Sequence, residues 1–546
     1  VFALNARELI PYLPDAVPGW FQAVLALYDS KGKELKFADD FRFHPDPVLA
    51  FEVPEDGEYV IAVYDNIFRG REDFVYRLAA GELPFVSGIF PLGGKVGEPT
   101  SVEMRGWHLP EDRRIVDFPT PGIYPLFVRK KHDALSERKL DLMIDLELST
   151  DAESVSSTES VSNRVPFAAD TLPECLEQEP NDSRESPQQA ALPIIVNGRI
   201  DTAGDWDVFR FEGRAGQVVF GEVRARRLGS PLDSVLRVTD ATGKQLALND
   251  EHEDPGAGLV THHSDSMLRV ALPADGTYFV HLGDIQQHGG TDYAYRLRIS
   301  PPRHDFELRI VPSSINIRGG GTVALAVHAL RRDGFSGEIA LALKNTPRGF
   351  KLHGAQVPDG QDQVRLTLTA PAMTKKRVVT LSLEGRATID GHQIVRPVVP
   401  AENMMQAFVY WHLVPVNELK AVVSAGAAMK TTVAILSELP VSIPAGGTAA
   451  VRMGVPARGA FDQVHLELDE PPEGIVIEKE SPSGQGTEIV LKCDAAKQKP
   501  GLKGNLIVNA FAVRSEEASQ ENPRPRGRPT PLGMLPAIPF EIVAAD

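Results

Sequence analysis

Two short stretches carry the residue types most able to do chemistry. The first reads Glu177-Gln-Glu179-Pro-Asn181-Asp182, and the second Gly204-Asp205-Trp206-Asp207-Val-Phe209-Arg-Phe211. Pro180 fixes its own φ and pushes Glu179 away from the helical region, so the first stretch is expected to be extended. Side chains at i, i+2 and i+4 of an extended segment share a side, which gathers Glu177, Glu179 and Asn181, with Asp182 at the end. In the second stretch Phe209 and Phe211 alternate as core residues of a strand. Asp205 and Asp207 share their parity at the strand's entrance, where side chains emerge at the rim of a sandwich. Two groups of hard oxygen donors at one rim suit Ca²⁺, which takes six to eight oxygens. The competing reading is an acidic, solvated linker leading into a strand with a polar entrance.

The elements that must position these residues are strands. Alternating apolar residues broken by Asp-x-x-Gly and Asp-Gly turns run through the chain, which predicts an all-β protein of tandem β-sandwich domains, jelly-roll-like and immunoglobulin-like. Composition agrees with folded modules: 546 residues, 42% hydrophobic and 24% charged. That length suggests three to five domains. A net charge of −17 with no basic block argues against nucleic acid as a partner. Cys175 and Cys493 are too few and too far apart for a disulfide framework or a metal motif. No apolar run approaches the roughly 20 residues of a membrane helix, and no signal peptide opens the sequence.

Glu-x-Glu-x-Asn-Asp, then Gly-Asp-x-Asp-x-Phe-x-Phe, the Asn249-Asp250 turn and Pro273-Ala-Asp275-Gly276-Thr-Tyr278 together resemble a bacterial pre-peptidase C-terminal domain. That family consists of β-sandwiches appended to secreted enzymes and is similar to the calcium-dependent collagen-binding domains of clostridial collagenases. The resemblance covers about residues 174–299. It implies structural Ca²⁺ held by Glu177, Glu179, Asn181, Asp182, Asp205 and Asp207, with Asp201 as a further candidate on the same loop. Asn249, Asp250 and Asp265 offer either a second cation site or Asx-capped turns.

An internal repeat precedes this domain. Val24-Leu25-Ala-Leu27-x-Asp29-x-x-Gly32-Lys33 aligns with Val235-Leu236-x-Val238-x-Asp240-x-x-Gly243-Lys244. Pro54-x-Asp56-Gly57-x-Tyr59 aligns with Pro273-x-Asp275-Gly276-x-Tyr278, and Asp65, Gly70, Tyr76 and Leu78 with Asp284, Gly289, Tyr295 and Leu297. The first copy has no counterpart of the two acidic stretches, so the chain is expected to be the visible or processed part of a longer protein whose upstream domains are its neighbours. A second repeat pairs Ser314-Ile-Asn-Ile317 and its Gly-Gly turn with Val441-Ser-Ile443 and Gly446-Gly447. Pro84-Phe-Val-Ser-Gly-Ile-Phe-Pro91 with Gly106-Trp107 resembles a transcription-factor-type immunoglobulin domain. The expected order is therefore 1–82, a partial pre-peptidase C-terminal-like sandwich; 83–150, Ig-like; 151–173, a Ser/Glu-rich linker; 174–304, the candidate calcium domain; 305–420 and 421–546, two Ig-like sandwiches. This order resembles large secreted proteins of planctomycete-type bacteria.

No catalytic constellation stands out. Thr261-His262-His263-Ser264-Asp265-Ser266 gathers hydrolase residue types, but neighbours along one strand point to alternate sides and cannot form a triad alone. Nucleophile-elbow, zincin and P-loop motifs are missing from the sequence. The expectation is a non-catalytic secreted, cell-surface or periplasmic array that binds or spaces a surface polysaccharide or protein. The alternatives are the accessory region of a secreted enzyme, most plausibly a peptidase, and a carbohydrate- or collagen-binding module.

Overall fold

The structure is a computed structural model that describes residues 1–6, 20–131, 159–258, 263–345, 347–406, 410–426, 435–454, 463–483, 486–513 and 530–545. Its regular elements are strands, joined among the described residues by only two short 3₁₀ turns, Arg226–Leu228 and Pro255–Ala257. The chain divides into two compact units, Val1–Arg303 with Met404–His412, and His304–Asn403 with Leu413–Asp546. The all-β expectation is met.

Three sandwiches make up most of the first unit. In the first, β1 (Phe2–Asn5), β2 (Ala23–Asp29), β3 (Glu34–Ala38), β4 (Val48–Leu49), β5 (Tyr59–Asp65) and β6 (Arg77–Ala80) form two three-stranded sheets, ordered β4-β1-β6 and β3-β2-β5. The second comprises β7 (Phe85–Phe90), β8 (Gly93–Lys95), β9 (Thr100–Trp107), β10 (Arg113–Val116), β11 (Gly122–Leu126), β12 (Arg129–Lys131), β13 (Glu159–Val161) and β14 (Val165–Asp170). Here the composition misleads. The segment 151–173 reads as a linker, yet Val165–Asp170 pairs with β11 on one side and β8 on the other, and Phe167 and Ala168 are buried in the core. The Ser/Glu-rich part, residues 151–158, lies outside the described residues.

The third sandwich holds the candidate site. It consists of β15 (Glu174–Leu176), β16 (Gln188–Gln189), β17 (Ile194–Arg199), β18 (Trp206–Gly213), β19 (Val218–Arg224), β20 (Ser234–Asp240), β21 (Gln245–Asn249), β22 (Met267–Ala271), β23 (Gly276–Asp284) and β24 (Ala294–Ser300). They form two five-stranded sheets, β15-β17-β24-β19-β22 and β16-β18-β23-β20-β21. Phe209 and Phe211 of β18 face Tyr295, Leu297 and Ile299 of β24 across one dry core, all at 0% exposure. Burying each such side chain contributes about 1.5–3 kcal/mol. The opposite face of β24 carries Arg296 and Arg298, which are buried because Glu174 and Glu222 pair with them.

Strand order repeats the sequence repeat. β3-β2-β5 matches β21-β20-β23, and β4-β1-β6 matches β22-β19-β24. The third sandwich then adds β16 and β18 beside β23, and β15 and β17 beside β24. It packs on the second sandwich through Arg199, whose guanidinium lies 3.8 Å from the Phe90 ring centroid and 3.2 Å from Glu103. Asp292 joins all three, with Arg42 at 2.8 Å and Arg105 at 2.9 Å.

The second unit has two separate cores, one around Phe306, Leu366 and Ala421 and one around Ile443, Leu491 and Ile542. Each contains the same parallel pairing: Ser314–Arg318 with Leu419–Ser424, and Val441–Pro444 with Ile538–Val543. The boundary expected at 420/421 therefore cuts through a strand, because the closing strand Leu419–Ser424 belongs to the first of these cores. The basic, Pro-rich stretch 522–529 lies outside the described residues.

Candidate metal centre

The two acidic stretches meet. After β15 the chain leaves regular strand geometry, and Asn181 rather than strand alternation holds the donors together. Its amide N–H donates to Glu179 Oε2 at 2.9 Å, and its side-chain Nδ2 donates to Glu177 Oε1 at 3.1 Å. Its carbonyl accepts from the Val208 amide at 2.9 Å, which fixes this segment to β18. Glu177 is held from two more directions. The Arg199 amide donates to Oε2 at 2.8 Å, and the Tyr295 hydroxyl donates to Oε1 at 2.6 Å.

One carboxylate oxygen from each of Glu177, Glu179 and Asp207 lies within 4.8 Å of the others, and so do single oxygens from Glu179, Asp182 and Asp205. Glu179 belongs to both groups. Asp207 lies deeper than a rim position: the residue has no exposed surface, and neither carboxylate oxygen has a hydrogen-bond donor. Asn181 is equally buried, and its Oδ1 also lacks a donor. An unpaired buried carboxylate is costly unless a cation or a proton neutralises it. Burial, followed by the nearby charge of Glu177, pushes the Asp207 carboxyl far above the ordinary carboxylate range. Burial likewise lifts Glu179 to about 7 and raises Asp205. Three orphaned oxygens beside several carboxylates form a hard-donor set able to hold a metal ion.

Of the seven expected ligands, six are thus gathered. Asp201 is the exception: it is exposed, and its contribution is an amide N–H donated to Asp205 Oδ2 at 3.1 Å. Tyr295, Gly198 and Arg199 were not anticipated. A Cβ on Gly198 would stand 2.6 Å from Glu177 Oε2 and closer still to the Tyr295 hydroxyl, so glycine is what lets both approach. The signal for Tyr295 lay in its alternation with Leu297 and Ile299, which faces it toward β18.

Two of the three residues of the second cation option, Asp265 and Asn249, are engaged in hydrogen bonds. Asp265 accepts from the Ala225, Arg226 and Arg227 amides at 3.0, 2.7 and 3.2 Å and from Arg227 Nε at 2.7 Å. Asn249 Oδ1 accepts from the Met267 amide at 2.8 Å. In the hydrolase-like stretch, Ser266 and Ser234 bond each other in the interior at 2.6 Å; Thr261 and His262 lie outside the described residues. Both cysteines are free thiols. Among the described residues no helix is long and apolar enough to cross a membrane.

Fold and site together describe a multidomain β-sandwich protein with an acidic, partly buried oxygen cluster among the described residues. No protein-family profile matches the chain. It is 42% identical over 109 residues to a probable subtilase-type serine protease of Deinococcus radiodurans, a match covering 19% of this chain and 13% of that protein's length. Among solved structures it is similar to domains 5–6 of the S-layer protein SbsC, at 10% identity and a TM-score of 0.19, over 44% of this chain and 99% of that one. It is also similar to the D00–D0 domains of intimin, at 14% identity and a TM-score of 0.14, over 43% of this chain and 99% of that one.

Proposed function

We propose that this chain is a non-catalytic array of β-sandwich modules of a secreted, cell-surface or periplasmic protein, in which Ca²⁺ bound in the third sandwich stiffens the join to the second. One observation carries this reading: Asp207 is fully buried with both carboxylate oxygens unpaired, facing Glu177 and Glu179. The resemblance to pre-peptidase C-terminal domains supports the choice of calcium. Arg199 supports the mechanical role. Its amide holds Glu177 while its guanidinium rests on Phe90 and Glu103, so the ligand set and the module contact share one residue. An ion that offsets carboxylate repulsion orders the segment carrying those carboxylates.

Calorimetric titration of the chelator-treated chain with Ca²⁺ tests this directly. The expected result is binding with proton release, accompanied by an upward shift of one thermal transition. No heat and no shift at millimolar Ca²⁺ would overturn the calcium assignment.

A second reading, the accessory region of a secreted peptidase, is favoured by the likeness to the subtilase-type protease. The coding sequence preceding Val1 decides it: a serine-protease catalytic domain there supports this reading, and further sandwich modules there overturn it.

A further inference from the structure

The connection from β3 to β4 of the first sandwich contains a tight turn, Phe41–His44. Two backbone bonds close it, from the Phe41 amide to the His44 carbonyl at 2.8 Å and from the His44 amide to the Phe41 carbonyl at 3.0 Å. The turn reaches both neighbouring sandwiches. Phe41 packs edge-on against Phe85 of the second, with ring centroids 5.3 Å apart, and lies 6.4 Å from Trp107. Phe43 sits under the Arg226 guanidinium of the third, 4.4 Å from its ring centroid. Arg42 pairs with Asp292 of the third at 2.8 Å and donates to the Gly229 carbonyl at 3.4 Å. Its φ is 62°, in the left-handed region that disfavours a side chain. Glycine would suit the turn better, but only a long side chain there reaches Asp292.

The loop that carries Asp292 is fastened to the loop that carries a cation ligand. The Gly290 amide donates to the Ile200 carbonyl at 2.7 Å, the Ile200 amide to the Tyr293 carbonyl at 3.1 Å, and the Gly204 amide to the Gln287 carbonyl at 3.1 Å. A Cβ on Gly289 would stand 2.1 Å from the Thr202 carbonyl oxygen, so the two loops touch backbone to backbone. Residue 205, where the second loop ends, is the aspartate that shares the acidic cluster with Glu179 and Asp182. An ion draws these carboxylates together and holds the loop, whereas without one their mutual repulsion works against its position. The ion pair that receives the turn is weak by itself, since the Arg42 and Asp292 side chains are 16% and 42% exposed. Docking of the turn therefore depends on where the loop places Asp292.

We infer that the Phe41–His44 turn is a calcium-dependent latch. With the ion bound in the third sandwich, the 285–293 loop holds Asp292 ready for Arg42, and the first sandwich is fixed to the other two. Without it the turn lets go, and Phe41 and Phe43 become accessible. The inference rests on the calcium reading above and extends it from one join between sandwiches to two.

The test is limited digestion of the whole chain with chymotrypsin, which cuts after accessible phenylalanines. Cleavage after Phe41 and Phe43 is followed by mass spectrometry and normalised to a peptide substrate in the same tube. Saturating calcium is expected to slow these two cuts at least tenfold relative to chelator. In Asp292→Asn they should proceed at the chelator rate even with calcium, while titration calorimetry finds calcium affinity within twofold of the parent's. Arg42→Gln should behave alike and leaves the third sandwich untouched, so a fold defect at Asp292 is told apart from an open latch. Calcium binding by calorimetry with no change in the two cuts would overturn the latch alone, and so would protection that survives in both variants. No calcium binding at all would overturn the calcium reading and the latch with it.

Discussion

The Tyr295 hydroxyl donates to Glu177 Oε1 at 2.6 Å, joining the last strand of the third sandwich to the segment that enters it 118 residues earlier. That bond aims Glu177 at Asp207, a buried carboxylate without a donor of its own. The tyrosine is satisfied and the aspartate is not, so a cation has a reason to bind between Glu177 and Asp207.

Asp207→Asn removes the ionisable carboxyl while keeping the shape. Without calcium the variant is expected to melt at or above the parent's temperature, since the amide replaces a carboxyl that burial holds protonated. Calcium at a hundredfold excess over its dissociation constant gives the parent about 2.7 kcal/mol, or roughly 5–10 °C for a domain of this size, and should give the variant none. Differential scanning calorimetry with and without chelator reads both. A calcium response that survives in Asp207→Asn would count against the ligand set.

Gly198→Ala acts on the same site from the neighbouring strand. The new methyl would fall within 2.6 Å of Glu177 Oε2 and would also crowd the Tyr295 ring. Displacing both should lower calcium affinity by tenfold or more and cost about 1–3 kcal/mol of stability. Titration calorimetry separates the two effects, because a purely structural loss would leave affinity unchanged in the folded fraction.

The pH dependence has a definite sign. Glu179 is lifted from 4.5 to about 7, chiefly by burial, and Asp207 is raised further. A carboxyl that binds its proton more tightly in the folded state contributes stability that is present at low pH and is lost as pH rises through its folded value. The calcium-free third sandwich should therefore lose stability from Glu179 between pH 4.5 and 7, and from Asp207 across that window and above it. Calcium competes with those protons, so its stabilising effect should be small at pH 5 and large at pH 8. Melts at the two pH values with and without chelator provide the check, and an equal calcium shift at both would contradict it.

His281 gives the opposite trend. Burial, with Arg237 and Arg184 nearby, pushes its imidazole from 6.5 down to about 4, while Thr239 Oγ1 lies 3.0 Å from Nε2. Its contribution is present above pH 6.5 and lost as pH falls toward 4. The loss amounts to roughly 3 kcal/mol at most. In calcium-saturated protein, His281→Gln should flatten this acid limb. An unchanged slope would place the acid sensitivity elsewhere.

Much of this was legible in residue order. Alternation alone marks β18, since Phe209 and Phe211 are buried while Arg210 and Glu212 are exposed. Turn spacing aligned the two copies of the first repeat, and the matching strand orders follow from it. Residue type and grouping in two short stretches likewise singled out six carboxylate or amide side chains that do converge, although strand parity is not what gathers residues 177–182. These are local properties, fixed by the period of a strand and the chemistry of each side chain.

Tertiary structure decided the rest. Parity places Asp207 on the inward side, but only the covering by the Glu177–Asp182 segment and Tyr295 removes it from water and raises its proton affinity. Asp201 has the right charge in the right loop, yet its side chain faces solvent and it meets the cluster only through its amide, which donates to Asp205. Val165–Asp170 follows a stretch with the composition of a linker, but it finds partners in β8 and β11 and becomes a core strand. Burial and hydrogen-bond partnership belong to the assembled sheets, and pairs more than a hundred residues apart are settled only when those sheets close.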